Sequence, residues 1–250
     1  MLKRFVLAVL LFLAAGRAAA TDYTDIWFNP SEPGWGMNVV QSNDFLFLTF
    51  FIYGADGKPT WFTGQVTLDA STNFNGTLFS TTGTYYILPW AGFTGAAAGT
   101  ASFQPLTPYT ARLVYTVNGV GTVTKTIQRQ TLKLIPLGAM YSGAQSFAFS
   151  GCVNNFSSVS FFNLQITHFT NGTATFAIDY PEYSCTFSGT LEQHGQLYSV
   201  PATQAQCTDG SNPSVVMTEL KATAQGVEGK FTASYGGSCR NDAQFSAVQR

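Results

Sequence analysis

Short apolar runs fill most of the chain after residue 20. These runs are rich in Val, Thr, Phe and Tyr, and Gly, Asn, Asp and Ser separate them. No long apolar stripe of helical period, bounded by capping residues, is found in the sequence. Runs of this composition and length are typical of β-strands, so we predict an all-β fold.

The predicted strands follow a loop-rich entry at residues 25–36. In the first half they are Gly36–Gln41, Phe45–Tyr53, Thr60–Leu68, Gly76–Ser80, Gly99–Phe103, Tyr109–Val117 and Gly121–Arg129. In the second half they are Ala144–Phe149, Ser160–His168, Ala174–Tyr180, Ser184–Glu192, Leu197–Pro201, Val215–Ala222, Gly229–Tyr235 and Gln244–Val248.

Tight hairpin turns join many of these strands. The dipeptides that predict them are Asp56-Gly57, Asn118-Gly119, Asn171-Gly172 and His194-Gly195. The segment 135–138 breaks the strand pattern, which predicts two domains, residues 21–134 and 139–250. About eight antiparallel strands in each half suit lipocalin-like up-and-down β-barrels or sandwich-like domains.

Residues 1–20 have the features of a signal peptide. Lys3 and Arg4 form a basic start, Phe5–Ala15 is apolar, and Ala18–Ala20 gives a small-residue cleavage site. The apolar run is too short for a transmembrane anchor, and no later stretch is long enough for one. We expect an exported protein, either periplasmic or secreted.

Removal of this leader changes the charge of the chain. The formal net charge is −1 for all 250 residues, and the mature chain has more acidic than basic residues. A nucleic-acid-binding protein would show a basic surplus, so we expect no nucleic-acid partner. Only 10% of the residues are charged, against roughly 25% in ordinary domains. The surface must therefore be built largely from uncharged polar residues.

All cysteines lie in the second half, at Cys152, Cys185, Cys207 and Cys239. An even number in an exported chain predicts two disulfides, with three pairings open. The spacings contain no C-x-x-C pair, which argues against a metal site. Cys185 and Cys207 flank the predicted hairpin at His194-Gly195, although ideal register would place residue 204 opposite Cys185. A bulge could absorb this offset, which favours Cys185–Cys207 and leaves Cys152 for Cys239.

Aromatic residues are the main candidates for a ligand site, because flat rings bind sugar rings and apolar ligands with little loss of entropy. The alternative is that the rings fill a barrel core. We favour the core for Trp27 and Trp35 and an exposed loop for Trp90. The candidate ligand-binding residues are Trp27, Trp35, Trp61, Tyr85, Tyr86 and Trp90.

Catalytic chemistry has little support in the sequence. Asp25 and Glu32 bracket Trp27 and could act as the acid and base of a glycosidase, but they more simply stabilise turns. Glu32 is expected to tie its loop internally to a backbone amide. The sequence does not place His168 or His194 beside another likely metal ligand, and it contains neither a G-x-S-x-G elbow nor a phosphate loop. We expect no enzyme activity, cofactor or metal.

Residues 27–36 carry the pattern W-x-N-P-x-E-x-G-W-G, and residues 53–61 carry Y-x-x-x-G-x-P-x-W. Together they resemble a large set of exported bacterial proteins, mostly of unassigned activity. Segments beginning at Cys185, Cys207 and Gly229 are loosely similar to companion segments of that set, whereas Pro33 replaces a smaller residue. The resemblance implies a β-barrel protein of the bacterial envelope or exterior, and it implies no catalytic residue.

These observations favour a non-enzymatic binding or surface module. Its ligand would be a glycan, a cell-wall polymer or a small apolar molecule. The main alternative is a structural or assembly protein of the envelope that binds other proteins. A glycoside hydrolase that uses Asp25 and Glu32 is the least favoured class. An exposed aromatic surface would support the binding module, and a carboxylate pair across a groove would support the hydrolase.

Overall fold

The computed structural model describes residues 20–250, so that the predicted leader, apart from Ala20, lies outside the described residues. The described chain is all-β, as predicted, and none of it forms a helix that could span a membrane. It divides into two compact units. The first holds Thr21–Lys133 and His194–Gln196, and the second holds Leu134–Gln193 and Leu197–Arg250.

Eight antiparallel strands close into a barrel in the first unit. Each strand pairs with the next along the chain, and the first strand also pairs with the eighth, which is the predicted up-and-down meander. The strands are β1 (Asp25–Phe28), β2 (Gly36–Ser42), β3 (Phe45–Tyr53), β4 (Pro59–Leu68), β5 (Phe74–Gly83), β6 (Phe93–Pro105), β7 (Thr110–Val117) and β8 (Gly121–Arg129).

Inward-facing apolar side chains, which alternate with outward-facing ones along each strand, fill the barrel. On β3 the side chains of Leu46, Leu48 and Phe50 are fully buried, whereas Phe47 and Phe51 between and beyond them face outward. Successive side chains of a strand point to opposite faces, so one register serves both the core and the outer surface. Each fully buried side chain of this size stabilises the fold by roughly 1.5–3 kcal/mol.

The entry predicted as a loop contains a strand. Asp25–Phe28 forms β1, which pairs with β2 on one side and with β8 on the other. Trp27 of β1 is fully buried in the barrel core, as expected. The prediction of a loop was wrong here because prolines and glycines lie only after Phe28, where they form the β1–β2 connection.

The β5–β6 hairpin continues beyond its neighbours. Pairing of β4 with β5 ends at Thr63–Phe79, and pairing of β6 with β7 ends at Gly99–Val117. Pairing of β5 with β6 goes on to Gly83–Phe93. We call residues 80–97 the ribbon. At roughly 3.3 Å per residue, its four cross-strand pairs extend about 13 Å past the ladders of its neighbours.

A close backbone approach marks the point where the ribbon leaves the barrel. A Cβ added to Gly99 would lie 1.8 Å from the carbonyl oxygen of Thr116. Only glycine fits this contact. A shift in register between Leu78 and Phe79 accompanies it, as is usual where a bulge increases strand twist.

The second unit is one ten-stranded antiparallel sheet around its own core. The strands are β9 (Ala139–Ser150), β10 (Ser157–His168), β11 (Thr173–Asp179), β12 (Ser184–Thr190), β13 (Glu192–His194), β14 (Leu197–Gln204), β15 (Gln206–Cys207), β16 (Ser214–Ala222), β17 (Gly226–Ser234) and β18 (Arg240–Gln249). Their order in the sheet is β13-β14-β16-β17-β18-β9-β10-β11-β12-β15.

The single strand predicted at Ser184–Glu192 is in fact two. β12 ends at Thr190 and β13 begins at Glu192, with buried Leu191 between them. β14 then pairs with β16, and the short strand β15 takes the place beside β12. Cys185 and Cys207 are therefore direct cross-strand partners, without the offset that a simple hairpin would give.

Both expected disulfides are formed. Cys185 is bonded to Cys207 across β12 and β15, and Cys152 is bonded to Cys239. The second bond lies just past the end of the β9–β18 ladder, where Ser150 pairs with Arg240. Disulfides of this kind are typical of an oxidising environment outside the cytosol.

Candidate functional site

The loop between β1 and β2 is held by side chains at its centre. Glu32 accepts a hydrogen bond from the Trp35 indole at 3.0 Å and forms an ion pair with Lys125 of β8. The Lys125 ammonium also lies 5.4 Å from the centre of the Trp35 ring. The expectation that the Glu32 carboxylate would bind a backbone amide was wrong, because its partners are two side chains. One of them, Lys125, belongs to a strand far along the chain, which the sequence of the loop does not predict.

Trp35 is half-buried and packs against the barrel core. Together with Lys125 and Glu32 it forms a cluster in which a cation faces both a carboxylate and an aromatic ring. Such contacts fix the loop in one conformation, and cation–π pairs of this type contribute roughly 0.5–1 kcal/mol when exposed. The cluster is structural in character.

The carboxylates predicted for a hydrolase are both occupied by cations. Asp25 forms a buried ion pair with Arg129 at 3.2 Å. The Lys125 hydrogen bond, followed by that of Trp35, holds the pKa of Glu32 below its ordinary value. A glycosidase acid needs the opposite shift, a pKa raised toward neutrality. The contacts of Asp25 and Glu32 are therefore those of structural ion pairs in the barrel, and they do not favour the hydrolase hypothesis.

A different group of aromatic side chains lies on the outer face of β3 and β4. Phe51 and Trp61 are direct cross-strand partners, and they are 49% and 51% exposed. Tyr53 lies two residues farther along β3 and is also exposed. Its hydroxyl donates to the carbonyl oxygen of Gly34 at 2.8 Å. We call Phe51, Tyr53 and Trp61 the platform.

The platform is continued by polar positions of the same face. Thr49 pairs with Thr63, and beyond them Phe47 pairs with Gln65. Because alternate residues share a face, these side chains point to the same side as Phe51 and Trp61. The surface thus combines aromatic faces with hydroxyl and amide groups on rigid strands.

The end of the ribbon carries a second aromatic surface. Tyr86 is 86% exposed, Trp90 is 71% exposed and Phe93 is 70% exposed. The connection is ordered by its own hydrogen bonds, since Thr84 Oγ1 donates to the Gly92 carbonyl and accepts from the Ala91 amide. The exposed large apolar residues here, which we call the tip, are Tyr85, Tyr86, Ile87, Leu88, Trp90 and Phe93.

The candidate residues from the sequence fall into separate places. Trp27 is in the core and Trp35 covers part of it, Trp61 is in the platform, and Trp90 is at the tip. Tyr85 and Tyr86 accompany Trp90, with ring centres 4.8 Å apart. The sequence interpretation missed Phe51 and Tyr53, because a two-residue turn at Asp56-Gly57 would place Phe51 opposite the core-facing Phe62, whereas the observed ladder places it opposite Trp61.

The second unit has surface grooves and a small cavity. A groove of about 620 Å³ on its outer face is lined by Lys230, Thr232 and Asp242 among others, and Asp242 accepts a hydrogen bond from Thr232. The cavity has a volume of about 40 Å³ and lies beside Tyr180 and Asn241. Among the described residues, no group of three or more His, Cys, Asp or Glu side chains is placed to hold a metal ion.

Comparisons with known proteins add no identification. No protein-family model matches the chain, and no curated protein matches it either. The fold and disulfides define the class as an all-β protein with two units, typical of an oxidising environment. The function must be inferred from the aromatic surfaces themselves.

Proposed function

We propose that this chain is an exported, non-enzymatic binding module, periplasmic or secreted, and that the platform of the first unit holds a glycan or cell-wall polymer. The observation that carries the proposal is the cross-strand pair of Phe51 and Trp61, two half-exposed rings on one rigid face. Leaving such rings in water is unfavourable, and stacking a sugar ring on them removes apolar surface from water.

The polar neighbours favour a sugar over a purely apolar ligand. A sugar ring offers C–H groups on its faces and hydroxyls around its rim, so a site needs both aromatic faces and hydrogen-bonding groups. Thr49, Thr63 and Gln65 supply hydroxyl and amide groups beside the rings. The open strand face, unlike a closed cavity, also suits a long polymer.

Rigidity of the platform supports the same ligand class. Tyr53 is held by its hydrogen bond to Gly34, and Trp61 and Phe51 lie on strands paired over their whole length. The backbone beneath the rings is therefore ordered before a ligand binds, which lowers the cost of binding as in other preorganised sites.

The test is co-sedimentation of the purified mature protein with insoluble polymers: peptidoglycan sacculi, chitin and cellulose. We expect at least one polymer to deplete the protein from solution, and Trp61→Ala to weaken that binding about tenfold or more, since removing an aromatic contact costs on the order of 1.4 kcal/mol or above. Phe51→Ala should have a similar effect. Trp90→Ala is the matched control and should bind as the unchanged protein does.

The proposal fails if the polymers do not bind, or if they bind equally well to the Trp61→Ala variant. Circular dichroism must show that each variant is folded. Since Phe51 and Trp61 point away from the core, their replacement should leave the barrel intact.

A structural or assembly role is the second candidate, and an apolar strip on the second unit favours it. Val159 and Phe161 share the outward face of β10 and are both well exposed. Phe161→Ser would then disrupt a complex with a partner protein that chemical cross-linking in envelope extracts detects. It would leave glycan binding unchanged.

A further inference from the structure

The tip occupies an unusual position for so much apolar surface. It lies at the end of a two-stranded ribbon that neither β4 nor β7 accompanies. Isolated two-stranded ribbons are marginally stable in water, and this ribbon presents its large apolar side chains to solvent. Exposed apolar patches of this kind mark sites of contact with another surface.

The absence of charged residues around the tip indicates which kind of surface the tip contacts. No charged residue lies between Asp69 of the β4–β5 turn and Arg112 of β7, so the whole of β5, the tip and β6 is uncharged. Specific protein partners usually fix their register with charged and hydrogen-bonding groups around an apolar centre. A lipid surface needs none of these groups.

The side chains of the tip are those of a membrane interface. Trp and Tyr are enriched where headgroups meet acyl chains, because their rings are apolar and their N–H or O–H groups remain hydrated. Ile87, Leu88 and Phe93 supply the wholly apolar part. Insertion into the bilayer to a depth of about 5–10 Å, which is typical of interfacial segments, would immerse the side chains of the tip.

The backbone of the ribbon sets a limit on insertion. Beyond Phe79 and Gly99 its outer edges have no neighbouring strand, and unpaired backbone groups are not tolerated in the hydrocarbon region. The tip itself is closed by internal hydrogen bonds, from the Leu88 amide to the Tyr85 carbonyl and from the Thr84 amide to the Gly92 carbonyl. The tip can thus enter the interface while the ribbon edges stay in water.

From these observations we propose that the tip is a shallow membrane anchor, which inserts into the interface of a lipid bilayer without charge attraction. This inference is independent of glycan binding by the platform. It assigns the ribbon the role of a spacer that holds the barrel away from the lipid surface.

The test is flotation of the mature protein with vesicles of zwitterionic phosphatidylcholine in a density gradient. We expect the protein to float with the vesicles and to do so equally in low and high salt. Adding anionic phosphatidylglycerol should not strengthen binding. Quenching by lipids that carry a bromine or nitroxide near the headgroup should reach Trp90, as measured against Trp90→Phe.

Substitutions at the tip should weaken partitioning without unfolding the protein. Ile87→Asp and Leu88→Asp should each lower partitioning about tenfold or more, because each removes an apolar side chain that the bilayer would cover and adds a charge. Trp61→Ala is the matched control. It should float normally even if it has lost glycan binding, so failures of the two proposals are distinguishable.

Three results would overturn the inference. One is the absence of flotation with neutral vesicles. Another is binding that requires anionic lipid or disappears in high salt, which would show electrostatic adsorption elsewhere. The third is self-association or capture of a protein partner that Ile87→Asp abolishes while vesicles do not bind, which would make the tip a protein interface.

Discussion

Trp27 and Arg129 are paired where the first barrel closes. They are cross-strand partners on β1 and β8, and the guanidinium carbon lies 5.1 Å from the centre of the indole ring. Arg129 also donates to the Asp25 carboxylate and to the carbonyl of Pro108. A buried cation is thereby given an aromatic face, a carboxylate and carbonyl oxygens at the place where β1 and β8 close the barrel.

Arg129→Ala should destabilise the first unit by about 3–5 kcal/mol, because it leaves the buried carboxylate of Asp25 without its cation. Tryptophan fluorescence during urea unfolding measures this unit selectively, since every tryptophan lies within it. Arg112→Ala, on the exposed face of β7, is the control and should change stability by less than about 0.5 kcal/mol. Equal effects of the two substitutions would contradict the role given to Arg129.

Glu32 should make the first unit sensitive to acid. Its folded pKa is lowered from 4.5, so the stabilisation is present above that value and is lost as the pH falls through the lower folded pKa. Glu32→Gln should therefore be less stable than the unchanged protein at neutral pH, with the difference shrinking in acid. Thermal unfolding followed by tryptophan fluorescence checks this. Thr126→Ala, at an exposed, uncharged position of β8 in the same unit, is the control and should shift stability equally at every pH. A constant difference for Glu32→Gln would refute the ion-pair explanation.

The two disulfides should stabilise the second unit unequally. Cys152 and Cys239 are 87 residues apart, and Cys185 and Cys207 are 22 apart. By the entropy of loop closure, removing the longer cross-link should cost about 4.6 kcal/mol and removing the shorter about 3.4 kcal/mol. Paired replacements by alanine, unfolded in urea and followed by circular dichroism, measure the difference. The reverse order would show that native-state contacts, and not chain entropy, dominate.

Alkali should destabilise the second unit through Tyr180 and Tyr183. Burial raises the pKa of both phenols above 10.0, and their ring centres are 4.8 Å apart. A phenol whose folded pKa is raised stabilises the fold fully below its unfolded pKa, and this contribution is lost as the pH rises through the folded pKa. Absorbance of tyrosinate should show late-titrating phenols, one fewer in Tyr180→Phe. A titration identical for the two proteins would rule out the assignment to Tyr180.

Much of the fold could be predicted from local sequence. The strands Phe45–Tyr53 and Gly121–Arg129 were predicted with the bounds observed, because β-branched and aromatic residues end at clear turn signals. Gly57 and Gly119 have the positive φ that their hairpins require. The strand exchange at Leu191 was not predictable, since pairing of β14 with β16 depends on contacts distant in sequence.

The candidate site was less accessible to sequence reasoning. The ribbon strand before Gly99 is rich in Gly and Ala, which have low strand propensity, so its pairing is fixed by the opposite strand and not by its own residues. Trp90 was recognised as exposed, but its place at the end of a projecting ribbon depends on where β4 and β7 stop pairing. The ion pair of Lys125 with Glu32 could not be predicted either, because the two residues come together only when β8 pairs with β1.

In both sheets, the first and last strands in chain order are neighbours. In the first, β1 is hydrogen-bonded to β8, and in the second, β9 is hydrogen-bonded to β18. Entry and exit of the polypeptide at neighbouring points is the geometry that lets a domain be inserted into a loop of another protein, or be circularly permuted. The continuous segment Thr21–Lys133 of the first unit thus has the chain geometry of a transferable cassette, which could be inserted into a loop of a host protein without spreading that loop apart.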